Sequence, residues 1–271
     1  MTSTSYIALS FYDLMLASGF VFISGLISLS FRLGLERTLL LSTLRMAVQL
    51  GAVGFVLKFI FAQTSPLWTV ALGSIMLLVA GREVMARQTF RLKGWWSYGL
   101  GTGTMLFTCL LATLFGVGVI IGPEPWYAPR YILPILGMML GNTMTGISLG
   151  LDNLTTIAIR EKVAIESRLA LGETRVISLG SAVRQALKTG MVPIINAMAA
   201  SGIVSLPGMM TGQILSGVDP VEATKYQLFI MFLIAGSTVL GVCLAVVSAA
   251  WVLTDNRHRL RLDRLRNERS G

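Results

Sequence analysis

The chain has 271 residues, of which 54% are hydrophobic and 13% charged, with a net charge of +9 and a mean hydropathy of +0.73. Those proportions lie far from the soluble average and describe an integral membrane protein, so the positive charge reads as basic loops between apolar runs and not as a nucleic-acid surface. Cys109 and Cys243 both stand inside apolar runs and support neither a disulfide framework nor a thiolate metal site.

The opening stretch MTSTSYIALSFYDLM has no basic region and no A-x-A-like cleavage signal before its apolar run, so the first span is expected to stay in the mature protein. A hydrocarbon core of about 30 Å needs roughly 20 apolar residues as helix. Seven runs meet that length: Leu9 to Phe31, Leu39 to Phe61, Leu67 to Met85, Ser97 to Ile121, Tyr131 to Leu151, Thr189 to Val218 and Leu228 to Leu253. Of the 22 Lys and Arg, Arg45 and Lys58 fall well inside spans and Arg130 and Lys225 on one side; the others, with Arg82 in the last turn of the third run, fall on the opposite side. That bias predicts the N-terminus outside and the C-terminus inside, with a basic cytosolic tail over residues 254–271 beside anionic lipid.

Within the second run, Arg45 lies well inside the apolar segment, and Gln49, four residues on, shares its helix face. A charge at the bilayer centre costs at least about 2.5 kcal/mol. Two readings stand: Arg45 snorkels to the headgroups, or it forms a gate at the inner mouth with Glu36 or Asp152. The fifth run carries Asn142, and the sixth carries Asn196. These amides are the candidates for a substrate path, because an unpaired amide in hydrocarbon is costly. Met138, Met139, Met144, Met198, Met209 and Met210 cluster in the same two runs, where thioethers serve as soft-metal ligands or as adaptable packing.

From Asp152 to Lys188 the chain is too polar to cross a membrane, yet Leu154, Ala158, Ile165 and Leu169, then Val176, Leu179, Val183 and Leu187, recur at helical spacing. The pattern predicts two amphipathic helices meeting at LALGETR: a cytosolic hairpin that packs the bundle face or docks a soluble partner. The sixth run holds thirty uncharged residues, longer than one span needs, and Leu206-Pro207-Gly208 interrupts it. The helix is therefore expected to end near Ser205, with a short connector or half-helix following. Asp219-Pro220-Val221-Glu222 then predicts a capped start for the last helix.

ESRLALG, Glu166 to Gly172, resembles the EAA-x-x-x-G coupling loop of ABC transporter permeases, with Ser167 and Arg168 replacing the two alanines. The longer run LALGETR through SLPGMMTGQILSGVDPVEATKYQ, together with LRMAVQLGAVGFVLKFIF and LPILGMMLGNTMTGISLGLDNL, resembles the FetB family of ABC permeases. That family is associated with iron export in bacteria and is related to plant permeases of aluminium tolerance. The resemblance covers nearly the whole chain in register. It implies an all-α polytopic bundle of about seven spans forming a single permease domain over residues 1–271. It also implies a cell-membrane location, a homodimer and a separate ATPase subunit that binds ATP and Mg. No G-x-x-x-x-G-K-[ST] stretch occurs in this chain, so no cofactor and no enzymatic role are expected of it.

On the resemblance, Glu166, Arg168, Gly172, Glu173 and Arg175 would couple the permease to the ATPase, while Arg45, Gln49, Asn142, Asn196, Pro207 and Gly208 would line or gate the path. Pro207-Gly208 has two readings, an external gate or a dimer-packing element. No paired carboxylates, histidine cluster or Cys-x-x-Cys stands in any run, and His258, the one histidine, falls in the tail. The alternatives are a stand-alone secondary transporter or channel, which also uses broken helices, and a scaffold whose hairpin only recruits a soluble protein.

Overall fold

A computed structural model describes residues 9–62, 65–255, 257 and 259–267, without the side chains of residues 95–97 and 267. His258 lies outside the described residues. The helices are α1 (Phe11–Ser30), α2 (Glu36–Phe61), α3 (Pro66–Ala86), α4 (Trp95–Leu114), α5 (Pro129–Arg160), α6 (Lys162–Ala170), α7 (Arg175–Ser178), α8 (Gly180–Ala200), α9 (Gly208–Leu215) and α10 (Pro220–Val252). A π-helical stretch, Phe115–Ile121, prolongs α4, and two short strands, β1 (Phe90–Leu92) and β2 (Leu265–Asn267), with a 3-10 turn at Leu262–Arg264, complete the secondary structure among the described residues. The protein is thus an all-α polytopic membrane bundle. Among the described residues six helical segments are long and apolar enough to span: α1, α2, α3, Tyr98–Ile121, α5 and α10.

The chain groups into two compact units, one of residues 1–64 and 213–218, the other of residues 65–212 and 219–271. In the first, α1 starts from a capping box in which the Asp13 amide donates to Ser10 Oγ and the Ser10 amide to Asp13 Oδ2. The turn into α2 is held by Ser28, whose hydroxyl donates to Glu36 Oε2 at 3.1 Å and accepts from the Leu35 amide at 3.2 Å. Most apolar side chains of α1 and α2 remain exposed on this chain.

The second unit is built around α5, α8 and α10, with α3 and α4 packed on α5 and α10. Helix directions follow from the close approaches. Gly146 meets Gly190, and Gly150 lies beside the Ala186 carbonyl, so α5 and α8 are antiparallel. Gly146 also meets Thr238 and Val242 while Gly150 meets Val246, so α5 and α10 run parallel. The spacing Gly146-x-x-x-Gly150 faces Ala182, Ala186 and Gly190, all buried on α8. A Cβ at Gly146 would stand 2.9 Å from the Gly190 carbonyl oxygen, and one at Gly190 would stand 2.8 Å from that of Gly146. Glycine is required at this crossing because the two backbones touch, the packing that helices use in lipid where apolar burial supplies no drive. Nearby, Thr143 Oγ1 lies 3.4 Å from Thr238 Oγ1 and 3.5 Å from Ser237 Oγ, which satisfies three buried hydroxyls across α5 and α10.

Two sequence expectations need correction. Residues 152–188 do not form a separate hairpin of two helices: the first part completes α5, residues 180–188 open α8, and only residues 161–179 form the apex. No breaker separates Leu151 from Leu154, Ile157 and Ala158, whose buried face continues that of the span, and Asp152 is accommodated because its Oδ1 accepts from the Thr89 amide at 2.6 Å. At 32 residues α5 is about 48 Å long, well beyond a core of about 30 Å. Second, the sixth run is not one span: α8 begins nine residues earlier than Thr189 and ends at Ala200, before the expected Ser205. Arg184 and Lys188 keep α8 out of the six most apolar helices, although it packs along α5 and α10 inside the unit. The sequence also leaves the described part of the basic tail without structure of its own, and the fold supplies it. β2 pairs antiparallel with β1, the Lys93 amide donates to the Arg264 carbonyl at 2.7 Å, and the Arg264 guanidinium donates to the Val252 carbonyl at 2.6 Å. The cap of α10 is as expected, with Asp219 Oδ1 accepting from the Val221 and Glu222 amides, and α9 is the expected half-helix.

Candidate coupling and transport site

The apex between α5 and α8 is shaped by a helix stop that its sequence dictates. Helix α6 ends in a double bond pattern: the Gly172 amide donates to the Leu169 carbonyl and the Glu173 amide to the Arg168 carbonyl, each at 3.1 Å, with Gly172 at φ 92°. This satisfies the last carbonyls of α6 and needs a residue that tolerates left-handed backbone, which is why glycine stands there. Ile165 on α6 and Ser178 and Leu179 after the turn are buried, so the apex is packed on its inner side. On the outer side Val163, Leu171, Val176 and Ile177 are exposed, Leu171 by 86%.

The five residues expected to couple all lie on this apex, in different roles. Glu166 and Arg168 are exposed, and Glu166 pairs with Lys162 at 3.9 Å, a long surface contact of little energetic weight. Glu173 accepts from the Ser178 hydroxyl at 3.3 Å, a bond that braces the turn into α7. Arg175 leaves the apex: its guanidinium carbon sits 3.6 Å from the ring centroid of Trp251 in the last turn of α10. A guanidinium over an indole face is held by about 0.5 to 2 kcal/mol, depending on desolvation. The apex is thereby tied to α10 as well as to α5 and α8, a link that no pattern in the sequence announced. Arg175 and Trp251 are 76 positions apart, and only the parallel packing of α5 and α10 brings the end of α10 beside the apex.

The expected path residues are distributed differently. Arg45 and Gln49 lie on the exposed surface of α2, in the first unit. Glu36 and Asp152, the acids considered for Arg45, accept from Ser28 and Thr89 respectively. Asn142 and Asn196 are both exposed on the second unit, four and six residues past the Gly146–Gly190 crossing toward the same end. Asn142 Nδ2 donates to the Met138 carbonyl of its own helix at 2.8 Å, so half of its amide is already satisfied.

Beyond them, α8 gives way to a turn at Ser201, where the Gly202 amide donates to the Ser205 carbonyl at 2.9 Å and Gly202 has φ 94°. Pro207 accepts from the Thr211 amide and starts α9, and Gly208 is its first residue. The helix end expected near Ser205 falls at Ala200, and the turn runs over residues 201–205 before Pro207 precedes the next helix. Among the described residues no group of three or more His, Cys, Asp or Glu is gathered for a metal ion.

Residues 11–252 match the model of a family described as Uncharacterised protein family (UPF0014). The chain is 36% identical over 219 residues to UPF0014 membrane protein slr1647 of Synechocystis sp., covering 79% of this chain and 82% of that protein. It is 29% identical over 261 residues to the Probable iron export permease protein FetB of Escherichia coli, covering 94% and 96%. It is 31% identical over 225 residues to Protein ALUMINUM SENSITIVE 3 of Arabidopsis thaliana, covering 82% and 79%. No solved structure matches the chain.

Proposed function

This chain belongs to the UPF0014 family of multi-pass membrane proteins, and from that membership we propose that it is the permease subunit of an ABC exporter that moves iron or another metal ion out of the cytosol. ATP and Mg are bound by a separate ATPase subunit, and two copies of this chain form the path in the cell membrane, with the N-terminus outside and the apex inside. The observation that carries the reading is the apex itself. Four exposed apolar side chains stand among Glu166, Arg168 and Arg175 on a structured turn that is continuous with two long helices. Exposed apolar side chains rimmed by charge are the signature of a protein contact, and the flanking charges set its register.

Closure of the ATPase dimer pushes on the apex. Because α5 is one continuous helix and Arg175 engages Trp251, the push reaches α5, α8 and α10 together. Asn142 and Asn196 line the path, Arg45 and Gln49 act at the inner end of α2, and Pro207-Gly208 moves with α8 at the external exit. The interrupted α8–α9 segment also suits a stand-alone secondary transporter, in which broken helices hold the cargo. That reading leaves the exposed apex without a use.

The test is co-purification with an ATPase, followed by vesicle transport. Gly172→Pro and Glu166→Lys are expected to leave the complex assembled while hydrolysis no longer drives export. Transport at the full rate without nucleotide or any partner would overturn the proposal. Cellular iron, aluminium, manganese and copper, measured with and without the protein, identify the cargo; unchanged iron would count against iron.

A further inference from the structure

Between the start of α4 and the end of α10 lies a groove of about 1170 Å³ to which the proposed transport cycle assigns no ligand. Its walls include Leu100 and Gly103 on α4 and Val247 and Trp251 on α10, and at one end Lys93 and Arg264 close it. Both helices belong to the spanning set, and Trp251 is in the last turn of α10. The apolar length of the groove therefore lies against hydrocarbon, and its basic end lies at headgroup level, where indole rings concentrate. Thr104, also on the wall, turns its hydroxyl onto the Leu100 and Gly101 carbonyls of its own helix, which keeps that wall apolar.

Charge at the mouth is one-sided. Asp263 reaches it too, but both its oxygens accept from Arg261 at 2.8 Å, so its charge is already met. The Lys93 side chain is exposed and pairs with no acid among the described residues. Arg264 is fixed by one donated bond to Val252, which leaves its remaining N–H groups available. A volume above the usual small-molecule range, apolar walls within the bilayer and two cations at the interface describe one kind of occupant.

We propose that this groove binds an anionic phospholipid, its acyl chains along Gly103, Leu100 and Val247 and its phosphate on Lys93 and Arg264. Because Trp251 lines the groove and also carries Arg175, the lipid touches the residue that anchors the apex. The site is independent of which cargo the protein moves and of whether an ATPase drives it.

The test uses the full chain, delipidated in detergent and titrated with phosphatidylglycerol and phosphatidylcholine of the same acyl chains, with bound lipid counted by native mass spectrometry. Wild type is expected to retain one phosphatidylglycerol in preference to phosphatidylcholine. Lys93→Gln should lower that preference about fivefold, the effect of one interfacial charge, and Lys93→Arg should restore it. A Cβ at Gly103 meets open space, so Gly103→Leu fills the groove without a clash and is expected to lose both lipids while the melting temperature holds. Lys93 is the charge to vary because the Arg264 side chain also holds the tail. Equal retention of the two lipids by wild type, an unaltered Lys93→Gln or Gly103→Leu, or displacement by soluble glycerol phosphate, which marks a free-anion site, would each overturn the proposal.

Discussion

Helix α8 is flanked by two interruptions that look alike in sequence and differ in how they are held. Each has a glycine in left-handed backbone, Gly172 at φ 92° and Gly202 at φ 94°, and each is followed by a short helix. On the Gly172 side, Ile165, Ser178 and Leu179 are buried and Arg175 lies on Trp251. On the Gly202 side the described hydrogen bonds of residues 201–205 are all local, to residues 197–205, and Ile203 and Val204 are 95% and 82% exposed. Equal backbone geometry thus coexists with unequal tertiary support. The first interruption is a joint packed into the unit, and the second is a turn held by local bonds alone, with its apolar side chains exposed.

The largest effect is expected where α8 is gripped between the two. Gly190→Leu drives a side chain into the Gly146 carbonyl and Val242, and should destabilise the second unit by about 3 kcal/mol, read as a lower denaturation midpoint in detergent. A variant as stable as wild type would mean that α5 and α8 do not touch there.

A smaller effect separates the interruptions from each other. Gly172→Ala and Gly202→Ala impose a similar backbone cost of about 1 kcal/mol. Only Gly172→Ala should lower the global midpoint by that amount, because its turn is packed into the unit. Amide exchange should likewise be slower over residues 173–179 than over residues 201–206. Equal shifts and equal exchange rates would remove the distinction.

The smallest effect concerns the tail that lies beside the fixed joint. Arg261 holds the Asp263 carboxyl down to about 2 from an ordinary 3.8. A lowered carboxyl pKa adds stability above its ordinary value, and that stability is lost as pH falls through the folded value. The Lys93 amide, bonded to the Arg264 carbonyl, is therefore expected to lose exchange protection between about pH 4 and pH 2, and Asp263→Asn should remove most of that dependence.

Much of this was legible along the chain. Apolar run length located the spans, because a helix must satisfy its backbone over the full hydrocarbon thickness whatever its neighbours do. Gly172 and Asp219 announced a helix stop and a helix start, because capping is decided within a few residues. Long-range pairing decided the rest. The continuity of α5 through Asp152 depended on Thr89, 63 positions away, to meet a carboxylate that hydropathy alone counts as a loop signal. Helix α8 stopped a few residues before the expected Ser205, and the turn after it settled at residues 201–205, where Gly202 takes left-handed backbone. Gly146, Gly150 and Gly190 read singly as weak helix positions, and they became a backbone-to-backbone crossing only when two antiparallel helices met. The sequence by itself determined which segments must be helical in lipid, since that follows from local hydrogen bonding and length. Tertiary structure alone decided the long-range partners of the cations, with Arg175 drawn onto Trp251 and Arg264 onto the end of α10, because those partners come together only when distant helices pack.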